Sequence, residues 1–499
     1  MSTTVEHLTL EERRAGGLEA RTRAMPDSHA GWKPAADRPD PVALIEEQNL
    51  RRDADLVPVR HGRMMASPFT FYRGAAKIMA ADLAETPTAG LQVQLCGDAH
   101  LSNFGVFASP ERNLVFDIND FDETLPGPFE YDVKRLAASL TVAAQNNGCS
   151  ESDARAITKA GVTSYRESMA EFAAMKTLDV WYAHLAEDQI KQSVTAFLSG
   201  AEGEGKGKGN KKGRSKGTRE QDGMSGLTPK QAKQAQKRFE KDAQKAHSRT
   251  SDQALAKLGE EVDGRYRIAS VPPVIVPVRE LHTTYGVEPG ELEEVVRGQF
   301  RGYRSSLRLD VRQLLERFEI VDWARKVVGV GSVGTRAFIV LLQGRDRGDP
   351  LFLQVKEATR SVLEGTLRKS AFNQPGERVV QGQRLMQASS DIFLGWSKGV
   401  QADRYYYWRQ LPDMKGSALV ELMAPAALAW YGRTCGWTLA RAHARSGDPV
   451  SIAAYLGEGD AFDKSITDFS ERYAAQNDQD FAAFAKAIAS NRIEAIQDV

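Results

Sequence analysis

Gly329-Val330-Gly331-Ser332-Val333-Gly334-Thr335-Arg336-Ala337-Phe338-Ile339-Val340-Leu341-Leu342 is the stretch on which the fold turns. Its first six residues match GxGxxG, a pattern shared by dinucleotide-binding turns and by glycine lids over nucleotide phosphates. A dinucleotide turn needs a helix next, so that the pyrophosphate meets the helix N-terminus. The residues after Gly334 are instead rich in β-branched and aromatic types; a turn over Gly344 to Pro350 comes next, then Leu351-Phe352-Leu353-Gln354-Val355-Lys356. That order is strand, turn, strand. The glycines therefore fall at the tip of a β-hairpin, where missing side chains let backbone amides approach phosphate oxygens. Gly329, Gly331, Ser332 and Gly334 are the candidate phosphate contacts.

In the second of these strands, period two puts Leu351, Leu353 and Val355 on one face and Phe352, Gln354 and Lys356 on the other. The Lys356 ammonium can then reach phosphates beneath the glycines; the plain alternative is a solvated lysine at a strand end. A helix starting near Gly376 supplies Glu377 to hold Lys356 by an ion pair, with Glu364 as a substitute. Tyr405 to Leu411 reads as a strand running into Pro412-Asp413, where a hinge between lobes falls.

An earlier stretch carries complementary chemistry: LCGDAHLSNFG at 95–105, then VFDINDFD at 115–122. An acid after a glycine, an amide five residues later and a second acid closing a strand-like run are the equipment of magnesium-dependent phosphoryl transfer. Asp98 is the candidate catalytic carboxylate, accepting the acceptor hydroxyl's proton or orienting it. Asn103 and Asp120 are the candidate magnesium ligands. Asp122 projects from the same side of an ideal strand as Asp120 and can share or replace its role, whereas Asp117 faces the other way and is the weakest metal candidate. Each of these neighbours also fits a solvent-facing acid. His100 either positions the loop, donates to a phosphate, or is a structural histidine. Asp132 opens the next helix and reads as a brace behind the loop.

The 499 residues suffice for two or three domains, or for one large two-lobed domain with an insertion. With 66 basic and 66 acidic residues, overall charge selects neither nucleic acid nor membrane. Cys96, Cys149 and Cys435 lack CxxC spacing, which argues against a disulfide framework or a zinc site and for a reducing cytoplasm. The N-terminus has no apolar leader and no apolar run is long enough to span a bilayer, so no membrane association is expected.

Along the chain, 1–40 reads as a loosely ordered arm. Helices are expected at Ala43 to Leu50, Phe69 to Leu83, Tyr131 to Gln145 and onward through Asp153 to Leu198, with a strand at Gln92 to Leu95. Gly200 to Gly217 then alternates glycine with Lys206, Lys208, Lys211, Lys212, Arg214 and Lys216. No core can be built from that composition. It reads as a disordered insertion within 199–250, running into a basic helix from Pro229 to Ser248, with a weak acidic-surface or nucleic-acid contact through 206–216 as its functional alternative. Order returns in a connecting segment at 251–320, then a glycine-hairpin unit at 321–412 and C-terminal helices at 413–499; the stripe Leu428, Tyr431, Cys435, Leu439 marks a core-facing helix.

CGDAHLSNFG with NDFDETLPGPFEYDVKRLA resembles the HGDxHxxN and IDFxDAxxGDPxYDLA motifs of aminoglycoside phosphotransferases and related kinase-like enzymes. Asp98 lies five residues before Asn103, and Asp120 twelve before Asp132, as in that superfamily. SPFTFYRG and VVGVGSVGTR also make most of residues 40 to 480 similar to a large bacterial family known only as a domain of unknown function. The kinase resemblance implies ATP and Mg2+, an acceptor of unidentified, small-molecule type, and an α+β two-lobed fold with a small antiparallel β lobe and a mainly helical large lobe. In such enzymes the glycine hairpin precedes the catalytic loop; here the order is reversed, so a circular permutation is implied. Cys96 stands where these enzymes usually have histidine, and Gln354 where an alanine normally lies against the adenine. Two other readings remain open: a nucleotide-binding regulator without turnover, and a metal-dependent hydrolase using Asp98, His100, Asp117, Asp120 and Asp122.

Overall fold

A computed structural model describes residues 7–198, 241, 244–281, 289–399, 403–411, 414–416 and 418–497. The Lys/Gly-rich stretch, most of the basic helix after it and the hinge at Pro412-Asp413 lie outside the described residues. The architecture is mixed α+β with small antiparallel sheets.

The glycine stretch connects two neighbouring strands, Glu319–Lys326 and Ala337–Gln343, in the largest of these sheets. Its order is Gly395–Lys398, Tyr405–Gln410, Pro350–Ala358, Ala337–Gln343, Glu319–Lys326, Ile275–Pro277, every neighbour antiparallel. The two-fold alternation places Leu351, Leu353 and Val355 in one apolar cluster, under Phe300, Tyr303 and Leu307 of the helix Pro289–Ser305 and the turn after it. Trp408 stacks on Tyr303 there at 4.6 Å. Phe352 belongs to a second cluster on the other face, with Ile268, Ile339 and Leu341. Both faces are dry along most of Pro350–Ala358, and only its Lys356 end carries charge toward the rest of the protein.

The helical part is built on Glu130–Asn146, Glu151–Ala174, Pro425–Ser446 and Ala461–Ala489. Leu428, Tyr431, Cys435 and Leu439 are buried in its core, as their spacing predicts. Pro425–Ser446 can lie close against Glu151–Ala174 because Gly436 meets Gly161: a Cβ on Gly436 would stand 2.3 Å from the Gly161 carbonyl oxygen. Three small strand pairings decorate this part, of which Gln92–Leu95 with Leu125–Pro128 and Phe104–Ala108 with Leu114–Ile118 carry the acidic loop.

Two local expectations are corrected. Residues 7–40 are not a loose arm: Leu10–Ala20 is a helix with a Thr9/Glu12 capping box, and Gly17 lets it close on Ser451. Arg21 donates to the Ala454 and Tyr455 carbonyls, and Trp32 is buried against Phe469 and Tyr473. The polar composition hid a few well-placed contacts. Phe69 to Leu83 is two helices, Pro68–Gly74 and Ala76–Leu83, broken at Ala75. Among the described residues no helix is long and apolar enough to cross a membrane.

Candidate active site

The acidic loop leaves the paired strands Gln92–Leu95 and Leu125–Pro128 through Gly97, where a φ of +85° and a position at which a Cβ would stand 2.2 Å from the Glu123 carbonyl oxygen favour glycine. Asp132, in the first turn of Glu130–Asn146, accepts hydrogen bonds from the backbone N–H groups of Cys96 at 2.7 Å and Gly97 at 3.0 Å. This is the brace expected behind the loop, and His443 Nε2 stands 3.2 Å from the same carboxylate. Cys96 itself is buried in the core.

Asp98 faces the cavity with Oδ1 at 2.7 Å from Arg135, whose guanidinium lies over the Tyr72 ring at 3.9 Å. Burial pushes the Asp98 carboxyl up to about 6, against the opposing pull of Arg135. Asn103 Nδ2 donates to the Asp98 carbonyl at 2.8 Å, which fixes the amide beneath the loop with its oxygen uncommitted to that bond. His100 is buried; its Nε2 is 3.7 Å from Asp98 Oδ2, too far for a hydrogen bond, and among the described residues its Nδ1 has no partner. Burial, with Arg73 and Arg135 nearby, holds this imidazole neutral well below its usual range.

Asp120 and Asp122 come just after the strand Leu114–Ile118 and meet the end of the strand Pro350–Ala358. Lys356 Nζ is 2.6 Å from Asp122 Oδ2 and 3.4 Å from Asp120 Oδ2. Burial raises the Asp120 carboxyl, but Lys356 and Arg409 outweigh it and hold the group down at about 2. Asp122 is further held by the Tyr407 hydroxyl, 2.7 Å from its Oδ1, and Ser332 Oγ lies 3.5 Å from its Oδ2. The glycine stretch is tied to the helical part: Arg63 donates to the Gly329 carbonyl, Arg52 to that of Val333, and the Asp53 N–H to that of Gly334. Gly329, Gly331 and Ser332 line one cavity of about 500 Å³ together with Asp98, His100, Asn103, Asp120 and Asp122. Gly334 has a φ of +85° and packs against the Arg52 side chain.

Two candidates sit elsewhere. Asp117 points away from the cavity, as its odd position in the strand dictates; it pairs with Arg441 at 2.5 Å and accepts from the Ala388 N–H at 2.8 Å. Both side chains are 1 % exposed, so this is a core ion pair and not a metal position. Glu377 does not meet Lys356, which is already held by the two aspartates. The same helix instead sends in Arg378, which donates to the Asp122, Thr124 and Thr359 carbonyls. Glu364, the substitute, lines the cavity without reaching Lys356.

Arg135, Arg378 and Tyr407 escaped the sequence reading. Tyr407 alone left a signal, since it alternates with the core residues Tyr406 and Trp408 and so faces the charged side. Gln354 is buried and accepts from Arg409 Nε at 2.9 Å. Among the described residues no group of three or more His, Cys, Asp or Glu is placed to hold a metal ion. Of the expected magnesium ligands, Asn103, Asp120 and Asp122 line the cavity, with Lys356 against both carboxylates.

An α+β chain with a glycine connection and an acidic loop around one cavity, the loop's carboxylates met by a buried lysine, is the class that fold and site define. A family described as "Uncharacterized protein conserved in bacteria (DUF2252)" matches residues 52–212 and 206–487, and the chain belongs to that family. No curated protein and no solved structure matches it.

Proposed function

We propose that the chain is a phosphotransferase of kinase-like, circularly permuted fold that uses ATP and magnesium on an acceptor hydroxyl. The observation that carries this reading is that Asp98, Asn103, Asp120 and the glycine stretch line one cavity, with Lys356 held against two of its carboxylates, Asp120 and Asp122. A lone aspartate or lysine has ordinary explanations; these residue types converging from segments more than 200 residues apart have fewer.

In this reading Lys356 and the amides of Gly329 to Gly334 position the phosphates, and Asp98 orients the acceptor hydroxyl and takes its proton. Asp120 and the Asn103 amide oxygen suit magnesium, which accepts one or two protein oxygens and fills its remaining positions from phosphates and water. When bound, that ion neutralises charge on the phosphates. The neutral His100 beside Asp98 keeps a second positive charge from competing for the base.

The test is calorimetric titration with ATP, with and without magnesium, beside Asp120→Ala and Lys356→Ala. Magnesium-dependent binding lost in both variants supports one composite nucleotide site; absence of binding by the wild type ends the reading. The Asp98 to Arg135 ion pair favours one alternative, a nucleotide-binding regulator without turnover, because it engages the oxygen a base would use. ATP binding without ADP formation under any acceptor would select it.

A further inference from the structure

The cavity has a second wall. Arg52, Arg60 and Arg73, from the segment after Asn49 through the helix Pro68–Gly74, line it as well. Arg60 is wholly buried and spends its terminal nitrogens on Asn49, Gln48 and the Gly74 carbonyl. Arg52 donates to the Val333 carbonyl. Among the described residues neither has a carboxylate within ion-pair distance. Among the described residues Arg73 reaches one carboxylate, Glu421 at 3.4 Å, and the Nε of all three arginines is buried without a partner.

Of the acids lining the cavity, all but Glu364 are engaged locally and do not balance them. Asp98 pairs with Arg135, Asp120 and Asp122 with Lys356, and Glu357 with Arg404. Glu123 accepts from the Val362 N–H and is pushed up to about 7 by burial. Glu47 is taken by Lys77 at 2.6 Å. At the rim, Arg360 and Lys369 are exposed, and among the described residues their side chains have no partner. A low-dielectric wall carrying two guanidiniums without close counter-charges, and a third, Arg73, met only by the half-exposed Glu421 at 3.4 Å, is costly unless an anion completes it. Burial pulls Arg52 down to about 10 and Arg60 well below its usual value, with Arg52 adding to the latter.

Position decides which anion. Arg73 lies on the Asp98 and His100 side, its backbone oxygen 3.2 Å from where a Gly331 Cβ would be, between the glycine stretch and the acidic loop. Lys356, by contrast, serves the Asp120 side. We infer that Arg73, with Arg52 and Arg60 lining the same cavity, forms an oxyanion site, so that the acceptor presenting a hydroxyl to Asp98 carries a phosphate or carboxylate group of its own. The acceptor half of this statement rests on the phosphotransferase reading; the oxyanion site does not.

The experiment titrates the full chain calorimetrically with inorganic phosphate and with glycerol 3-phosphate, alone and with magnesium plus a non-hydrolysable ATP analogue at saturation. Wild type binds both probes, with and without the analogue; Arg73→Gln weakens both by roughly tenfold or more, and Arg73→Lys recovers part of the loss, with analogue affinity unchanged in both variants. Probe binding that is absent in the wild type, or indifferent to Arg73→Gln, overturns the site. Probes displaced by the analogue assign the arginines to nucleotide phosphates and overturn the acceptor half. Arg73-dependent probe binding in a protein that takes no analogue upholds the site while the phosphotransferase reading falls.

Discussion

Lys356 and Asp120 are separated by 236 residues in the chain, yet the Lys356 ammonium lies 3.4 Å from the Asp120 carboxylate, with Asp122 nearer still at 2.6 Å. The lysine is 3 % exposed and the two aspartates just under a third. Lys356→Met removes the charge but keeps the stem, and leaves two carboxylates facing each other near Arg409. The expected cost is roughly 3 kcal/mol in chemical denaturation, the usual range for breaking a buried pair. Asp122→Asn should cost less, because Asp120 still faces the ammonium. Equal losses from both variants would mean that Lys356 depends on Asp122 alone.

Asp98 carries the pH dependence. Its carboxyl is raised to about 6, so a base at this position is protonated and idle below that value and active above it. ADP formation should therefore climb with pH through about 6, and Asp98→Asn should lower it by about 10²-fold or more while leaving ATP affinity in place. Stability runs the other way. The native state holds this proton over the interval in which the unfolded chain has lost it, so this group alone makes the protein less stable as pH rises from about 4 to about 6. Replacing Asp98 by Asn should flatten the acid limb of the rate profile and remove that part of the stability slope.

Much of this arrangement was legible in the residues because short-range rules fixed it. The alternation in 351–356 assigns Lys356 to the charged side, and the β-rich run after Gly334 rules out a dinucleotide turn. The partner of Lys356 was not legible: Glu377 has the right chemistry and a plausible spacing, but the choice between it and the two aspartates is made by how the sheet end meets the acidic loop. Arg135 and Arg378 were invisible for the same reason, since a buried arginine on a helix looks like any other until the chain segment it holds is seen. Residues 7–40 failed differently. Arg21, Trp32 and the Thr9/Glu12 cap each make a specific contact that average composition does not report.

Asp117 and Arg441 separate a structural acid from a site acid. Both are 1 % exposed and 2.5 Å apart, so Asp117→Asn strands a guanidinium in the core and should cost about 3–5 kcal/mol in denaturation. The paired change Asp117→Leu with Arg441→Met should recover most of that loss, since a well-packed apolar pair often replaces a buried ion pair at little cost. Magnesium-dependent ATP binding, measured on the folded fraction, should be unchanged by either. A loss of magnesium dependence confined to Asp117→Asn would return Asp117 to the site.

Gly97 sets where Asp98 points, and two kinds of strain can be told apart there. A side chain at 97 must adopt a φ near +85° and would place its Cβ 2.2 Å from the Glu123 carbonyl oxygen. Gly148 has a similar φ of +73° with nothing within 4 Å, so Gly148→Ala measures the conformational penalty alone, about 1–2 kcal/mol. Gly97→Ala should exceed that value, because the loop must also retreat from Glu123 and loosen the Cys96 and Gly97 bonds to Asp132. A shift of the order of 1 Å in the reacting groups costs about 10²-fold in rate. ADP formation should therefore drop sharply in Gly97→Ala and stay at wild-type level in Gly148→Ala. Equal denaturation midpoints for the two variants would show that the loop yields freely at Gly97, and Asp98 would then owe its position to Arg135 alone.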